Sequence, residues 1–275
     1  MSHSVDLHSQ PQHHRPTEGE PRPGGLPLGT EVMRFEPLEE GSLIRRYKRF
    51  LADVELDGGH IVVVHCPNTG PMTSVLNPGG RVRLRHALSP QRKLAWTWEQ
   101  AEVTGSSGQP VWVGVNTALA NRLVKRAIEA GALSPWLGSI QRIRSEVPYG
   151  VDRRSRIDLL LERGQGPVYV EVKNTTWCQG DVALFPDTVT VRGQKHLHDL
   201  MAAAKTATAL LVPCVSRSDS NAFAPGDEAD PTYGRLFREA RKAGVEVLPC
   251  RFHFQAEAIL WQGVCAVKDR QLNVL

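Results

Sequence analysis

The sequence predicts two unlike folded parts: an all-β domain, then an α/β domain with a mixed sheet flanked by helices. Three observations carry that reading. At 275 residues the chain exceeds one ordinary domain of roughly 100–200 residues. Its 41% hydrophobic content is enough to bury at least one sizeable core. The hydrophobic period also changes at Asn116, from two before it to three or four after it.

Residues 1–30 hold His3, His8, His13 and His14, five prolines and almost no apolar side chains. Such a segment cannot offset its ordering entropy by burial, so a disordered tail is expected, although its histidines could bind a metal. Residues 31–115 read as the all-β domain. Phe50, Ala52, Val54 and Leu56 alternate with Leu51, Asp53 and Glu55, and Asp57-Gly58-Gly59 turns the chain into Ile61–His65. Arg81-Val82-Arg83-Leu84-Arg85 alternates strictly, which sends Val82 and Leu84 inward and sets three arginines on the other face. A strand holding Leu94, Trp96 and Trp98 and another over Val111–Val115 complete a small barrel or sandwich. In an oligonucleotide-binding barrel the arginine row would track phosphates, and Trp96 or Trp98 would either stack on bases or fill the core.

Residues 116–275 form the second domain. Leu119, Leu123, Ala127 and Ala130 recur at helical spacing, with Asn116 or Thr117 as cap and Gly131 as stop. Strands are expected near Gln141–Val147, Arg156–Leu161 and Val168–Asn174, then a helix over Gly193–Lys205 and a buried strand over Ala207–Val215. Asp230-Pro231 starts a third helix that ends before Gly244, and Val245–Cys250 is again a strand. Phe252–Val267 is apolar but fits no one element.

No apolar run reaches the ~18 residues of a membrane span, and the start lacks the order of a secretory signal. Cys66, Cys178, Cys214, Cys250 and Cys265 are scattered, which argues against a disulfide scaffold or zinc finger and for a reducing cytoplasm. Net charge is +4, and the slightly acidic tail leaves a body of +5. Much of the excess sits in two acid-free stretches, Arg45–Phe50 and Arg81–Lys93, where Arg45, Arg46, Arg49, Arg81, Arg83 and Arg85 are candidates for contact with an anionic polymer. A solvated basic face would have the same composition.

The loop Arg163-Gly164-Gln165-Gly166 predicts a hairpin. If it closes between Gly164 and Gln165, Leu160 faces Tyr169, Asp158 faces Glu171 and Arg156 faces Lys173. Asp158, Glu171 and Lys173 then share one face, with Ile157, Leu159, Val168, Val170 and Val172 on the other. Facing carboxylates repel by roughly 0.2–1 kcal/mol, and a hard divalent cation would offset that. A cross-strand salt-bridge network is the other reading of the same side chains.

An Asp on one strand and Glu-x-Lys on the next, after a helix, resembles the PD-(D/E)xK nuclease superfamily, although Ile157 stands where that pattern has proline. The resemblance implies that Asp158 and Glu171, with the carbonyl of Val172, hold Mg²⁺ or Mn²⁺ against a scissile phosphate. Lys173 would assist the water or the phosphorus. Glu146 and Glu129 compete as third acid, with Glu146 preferred because it leads into the sheet.

A longer set of motifs is similar to the bacterial sugar fermentation stimulation protein A family. These are Arg46-Tyr47-Lys48-Arg49-Phe50-Leu51, His65-Cys66-Pro67-Asn68-Thr69-Gly70-Pro71-Met72, Ser155-Arg156-Ile157-Asp158, Glu171-Val172-Lys173, Phe185-Pro186-Asp187 and Arg192-Gly193-Gln194-Lys195-His196-Leu197. That resemblance implies an OB-like barrel joined to a PD-(D/E)xK-type domain, and DNA binding. Arg192, Lys195, His196 and Asp199 share a polar helix face that would lie beside the metal, where Gln194 matches a glutamine some related nucleases use. His65 and Asn68-Thr69-Gly70 would meet a phosphate or simply form a turn, and Asp181 and Asp187 would cap the helix or lie near the metal.

The expected function is therefore DNA binding of low sequence specificity, with RNA as a further partner, and a Mg-dependent phosphodiesterase site. The alternative is a non-catalytic DNA-binding regulatory protein on the same fold.

Overall fold

The computed structural model describes residues 24–87, 93–150 and 155–269. Most of the expected tail, with its four histidines, and part of the second basic stretch lie outside the described residues. The end of that tail is ordered, contrary to expectation. Gly29 N–H donates to the Trp261 carbonyl at 2.8 Å, and Leu26 packs on the core of the second domain. The next strand, β1 (Glu31–Arg34), belongs to that domain too, because it pairs with Ala258–Val264 near the C-terminus. The all-β part thus begins later than residue 31.

It consists of β2 (Leu38–Tyr47), β3 (Leu51–Leu56), β4 (Ile61–His65), β5 (Arg81–His86), β6 (Trp96–Thr104) and β7 (Pro110–Gly114). Neighbours run β4-β3-β2-β5-β6-β7, and β4 returns to β6 through Val64–Trp96 and His65–Thr97. Five strands therefore close into a barrel with the OB strand order, and β7 extends it. Leu43, Ala52, Val54, Val64, Val82, Leu84 and Trp98 fill its interior. Trp98 is core, as one of its two expected roles required, and Trp96 lies half-buried against His86 with ring centroids 4.5 Å apart. Phe50 departs from the expected alternation. It sits in the β2–β3 loop, 46% exposed, because the strand begins one residue after it.

The second domain opens with a 3-10 turn, Thr117–Leu119, where the Asn116 side chain accepts from Ala118 N–H. Then follow α1 (Ala120–Glu129), α2 (Ser134–Leu137), β8 (Arg142–Tyr149), β9 (Ser155–Glu162), β10 (Val168–Thr175), β11 (Trp177–Gln179), β12 (Val182–Phe185) and α3 (Val191–Ala203). The rest is β13 (Thr208–Val215), β14 (Ala222–Pro225), α4 (Pro231–Lys242), β15 (Glu246–Val247), β16 (Cys250–Phe254), β17 (Ala258–Val264) and β18 (Ala266–Val267). The main sheet runs β1-β17-β16-β13-β10-β9-β8, with β15 beside β13, and β11-β12-β14-β18 form a small second sheet. β10, β13 and β16 are parallel and the other neighbours on that path antiparallel, so the sheet is mixed. The unassigned C-terminal stretch is the β16–β17 hairpin beside the edge strand β1, followed by β18 of the small sheet.

Each sheet face is covered. Leu123, Val124 and Ala127 of α1 pack with Leu159, Leu161, Val168 and Val170, whereas Leu197 and Leu200 of α3 and Leu236 and Phe237 of α4 pack with Leu160 and Leu211. The hairpin keeps the expected register through Val168–Leu161, Tyr169–Leu160 and Val170–Leu159, but the ladder ends there. The expected Asp158–Glu171 and Arg156–Lys173 pairs do not continue it; Asp158 accepts from Val172 N–H instead. Ile157 corrects the alternation. It belongs to the α3–α4 core and not to the α1 core with Leu159, so side-chain phase shifts across Asp158. The facing strand is distorted at the same level, where Glu146 has φ +55° between the pairs Ser145–Leu159 and Val147–Ile157. Among the described residues no helix is long and apolar enough to cross a membrane.

The two parts meet on buried polar contacts. Gly114 N–H donates to the Ser216 carbonyl at 2.8 Å, and Gln100 Nε2 donates to the Gln255 carbonyl at 2.8 Å. Glu99, fully buried, accepts from Arg85 and from Asn116, the residue that starts the second domain. A Cβ on Gly114 would collide with the Phe254 ring. Gly114→Ala should therefore lower stability by roughly 1–3 kcal/mol, read as a lower urea midpoint. An unchanged midpoint would show that the junction yields freely.

Candidate functional site

β9 and β10 carry the charged cluster, and α1 and α3 close on it from opposite faces. Asp158 is held by two neutral donors: Val172 N–H reaches Oδ2 at 2.7 Å, and Asn121 Nδ2 of α1 reaches Oδ1 at 2.8 Å. Glu171 is 1% exposed. Its Oε1 accepts from Lys173 Nζ at 2.6 Å and meets His196 Nδ1 of α3. Lys173 Nζ also lies 3.0 Å from His196 Nδ1, and Arg192 Nε lies 3.3 Å from His196 Nε2. Lys173 and His196 thus crowd one oxygen of Glu171, and the other, Oε2, is buried with no hydrogen-bond partner among the described residues.

The two acids titrate in opposite directions. Burial, and then the charge of Glu171, push the Asp158 carboxyl up to about 6 against the hydrogen bonds it accepts and the attraction of Lys173. Burial would push Glu171 up too, but His196 and Lys173 outweigh it and hold the carboxyl below the usual range. Tyr149 and Tyr233 also face this region. Their buried hydroxyls lack partners among the described residues, and both resist ionisation, first through burial and then through Glu171.

Neither expected third acid joins the pair. Glu146 is exposed in the distorted stretch of β8, and Glu129 ion-pairs with Lys125 at 3.7 Å. Eight residues separate Glu129 from Asn121 along α1, about 12 Å of axis, so the helix brings an amide to Asp158 instead of a carboxylate. Asn121 carries no charge and sits at no motif spacing, so nothing in the sequence marked it. Tyr149 and Tyr233 likewise stand in no motif that would mark them.

α3 is placed as expected, but its side chains divide. His196 enters the cluster, Arg192 backs it, and Lys195 turns to Asp199 and Ser155. Gln194 Nε2 bonds both oxygens of Asp230 at 3.0 Å, which ties α3 to the cap of α4 and away from the acids. Asp187 Oδ2 accepts from Thr73 N–H at 3.4 Å and so joins the domains. Asp181 lies 4.0 Å from Lys268.

The barrel cations are mostly occupied. Arg81 pairs with Glu40 and Asp57, Arg83 with Glu40 while stacking 3.6 Å from the Trp112 centroid, and Arg85 with Glu99. Arg45 pairs with Asp53. Arg46 Nη2 donates to the carbonyls of Arg49, Asn68 and Gly70, and Arg49 Nε donates to that of Thr69, so the Asn-Thr-Gly segment is a turn held from below by arginines. The arginine row does occupy one face, but its charge is spent largely on nearby carboxylates.

Among the described residues no three His, Cys, Asp or Glu side chains form a ready metal cage. A magnesium-type ion does not require one, since one or two carboxylates with water and phosphate oxygens suffice. The unpartnered Oε2 of Glu171 beside the half-buried carboxylate of Asp158 fits such an ion.

Residues 118–258 match the family described as the sugar fermentation stimulation protein RE domain, and residues 44–115 match the SfsA N-terminal OB domain. A sugar fermentation stimulation protein homolog of Parasynechococcus marenigrum (strain WH8102) is 64% identical over 246 residues, 88% of this chain and 97% of that protein. One from Synechococcus sp. (strain CC9902) is 64% identical over 245 residues, 87% of this chain and 98% of its own. The solved structure of Pyrococcus furiosus SfsA in complex with Ca²⁺ superposes with a TM-score of 0.78 at 26% identity, covering 87% of this chain and 99% of that one.

Because its pKa is raised, Asp158 favours the folded state fully below about pH 4, and that contribution is lost as pH rises through about 6. Asp158→Asn keeps both hydrogen bonds if the Asn121 amide flips, and it removes the titration. In metal-free buffer the variant should gain on the wild type between about pH 4 and 7, by roughly 3 kcal/mol at most. A difference in Tm that stays flat over that range would refute the shift.

Proposed function

The chain belongs to the sugar fermentation stimulation protein family, and from that premise we propose that it binds DNA with little sequence preference and hydrolyses its phosphodiester backbone at Asp158, Glu171 and Lys173. One observation carries the catalytic half: a buried carboxylate oxygen of Glu171 without a donor, beside a second acid whose charge burial opposes. Pure DNA binding has no use for a buried and a half-buried acid near a phosphate. The Ca²⁺ complex of the Pyrococcus furiosus relative supports a divalent ion, with Mg²⁺ or Mn²⁺ as the working metal.

Asp158 and Glu171 would hold the ion, which when bound activates water and offsets the charge developing on phosphorus. The chain's own groups do the rest. Val172 N–H and Asn121 fix the Asp158 carboxylate, so its position costs little to reach. Lys173 is the cation nearest the acids, and its ammonium can turn from Glu171 to a phosphate oxygen. His196, backed by Arg192, holds Glu171 on the α3 side. The OB barrel supplies the strand-binding module. Five free thiols support a reducing cytoplasm.

A second reading, a regulatory DNA-binding protein without turnover, is favoured by one feature. Lys173 and His196 already satisfy Glu171 Oε1, as a closed salt-bridge cluster would.

Labelled single- and double-stranded DNA and RNA, incubated with Mg²⁺, Mn²⁺ or chelator, separate the two. Metal-dependent cutting is expected, and Lys173→Ala should slow it roughly a hundredfold or more with binding retained. Binding without cutting in any metal would leave the regulatory reading. Cutting that survives chelator would refute the metal site.

A further inference from the structure

The loop between β2 and β3 puts ordinary side chains where the backbone favours glycine. Lys48 and Arg49 have φ of +48° and +63°, two consecutive left-handed residues of the kind that Asn-Gly supplies at little cost. Strain of this sort persists only where surrounding contacts over-determine it. Here they do. Arg46 donates through Nε (3.1 Å) and Nη2 (2.5 Å) to the Arg49 carbonyl, Arg49 Nε donates to the Thr69 carbonyl at 3.0 Å, and Cys66 N–H donates to the Phe50 carbonyl at 2.8 Å.

This clamped tip presents an unusual set of groups. Phe50 is 46% exposed although its backbone is paired. Lys48 is exposed and in no ion pair among the described residues, unlike Arg45, Arg81, Arg83 and Arg85. Asp53, an acid on the adjoining strand, is already neutralised by Arg45 at 2.7 Å and bonded by Tyr47 Oη at 3.0 Å.

The tip is also wired to the acidic site. The turn under it, Asn68–Gly70, continues from Pro67, whose carbonyl accepts from Thr117 Oγ1 at the entry to α1. Four residues on, Asn121 bonds Asp158. On the other side Gly70 lies against Asp187, just ahead of α3.

We propose that the β2–β3 tip is a rigid stacking platform for an unpaired nucleotide of single-stranded DNA, with the base on the Phe50 ring and flanking phosphates on Lys48 and Arg49. This rests on the DNA-binding reading above and adds the strand state and the place of contact. A flat ring next to two cations, on a backbone that cannot relax, accepts any base and has no means of telling one from another.

Fluorescence anisotropy in chelator, with labelled single-stranded and duplex oligonucleotides over a salt series, tests it on the full chain. The double variant Lys48→Asn/Arg49→Gly relieves the turn, so its Tm should equal or exceed the wild type's. Its single-strand affinity should fall about tenfold or more, and its salt slope by about 1.4 for two lost phosphate contacts. Phe50→Ala should weaken single-strand binding roughly tenfold with slope and duplex affinity unchanged. Single-strand binding at wild-type strength in both variants, or equal losses on single strand and duplex, would overturn the platform alone. A wild type that binds no nucleic acid would bring down the DNA-binding reading and the platform with it.

Discussion

Two carboxylates on neighbouring strands, one buried and one half-buried, cannot both stay charged without cost unless a cation answers them. The C-terminal domain is arranged around that constraint. One acid is given neutral donors, Val172 N–H and Asn121, and is left with a raised affinity for its proton. The other receives Lys173 and the His196 ring on a single oxygen. The asymmetry leaves one lone pair unanswered in the interior, and a buried acceptor without a donor is costly enough to need a reason. A divalent ion would supply one.

The scaffold around the acids is stiff where it must be. β10 lies between an antiparallel and a parallel neighbour, so Glu171 and Lys173 project from a strand that cannot slide. α1 and α3 approach from opposite faces, each bringing one polar residue, Asn121 or His196, among otherwise apolar contacts. Helix α3 is in turn strapped to α4 through Gln194 and Asp230. The barrel meets this assembly through buried Glu99 and the glycine at 114, which allows strand and Phe254 ring to touch.

Much of this was legible in the residues. Period two placed Val82 and Leu84 inside the barrel, a Gly-rich loop set the β9–β10 register, and Asp230-Pro231 marked the start of α4. Short strands such as β11, β12 and β14, three or four residues each, escaped because so few positions show no period. β1 was read into the barrel because a four-residue strand carries no sign of its partner, which lies more than two hundred residues away. The arginine row was found on the correct face, but acids from β2, β6 and the β3–β4 turn could not be seen to meet it.

By itself, then, the sequence determined the longer elements, most of the faces they bury and the placing of two acids and one lysine on neighbouring strands, since these depend on spacing along one or two adjacent segments. Only the tertiary structure decided what surrounds them. Asn121 instead of Glu129, His196 instead of a solvated helix face, and paired instead of free arginines all follow from contacts between segments far apart in the chain. Local periodicity reports the direction in which a side chain points. Long-range packing decides what it finds there.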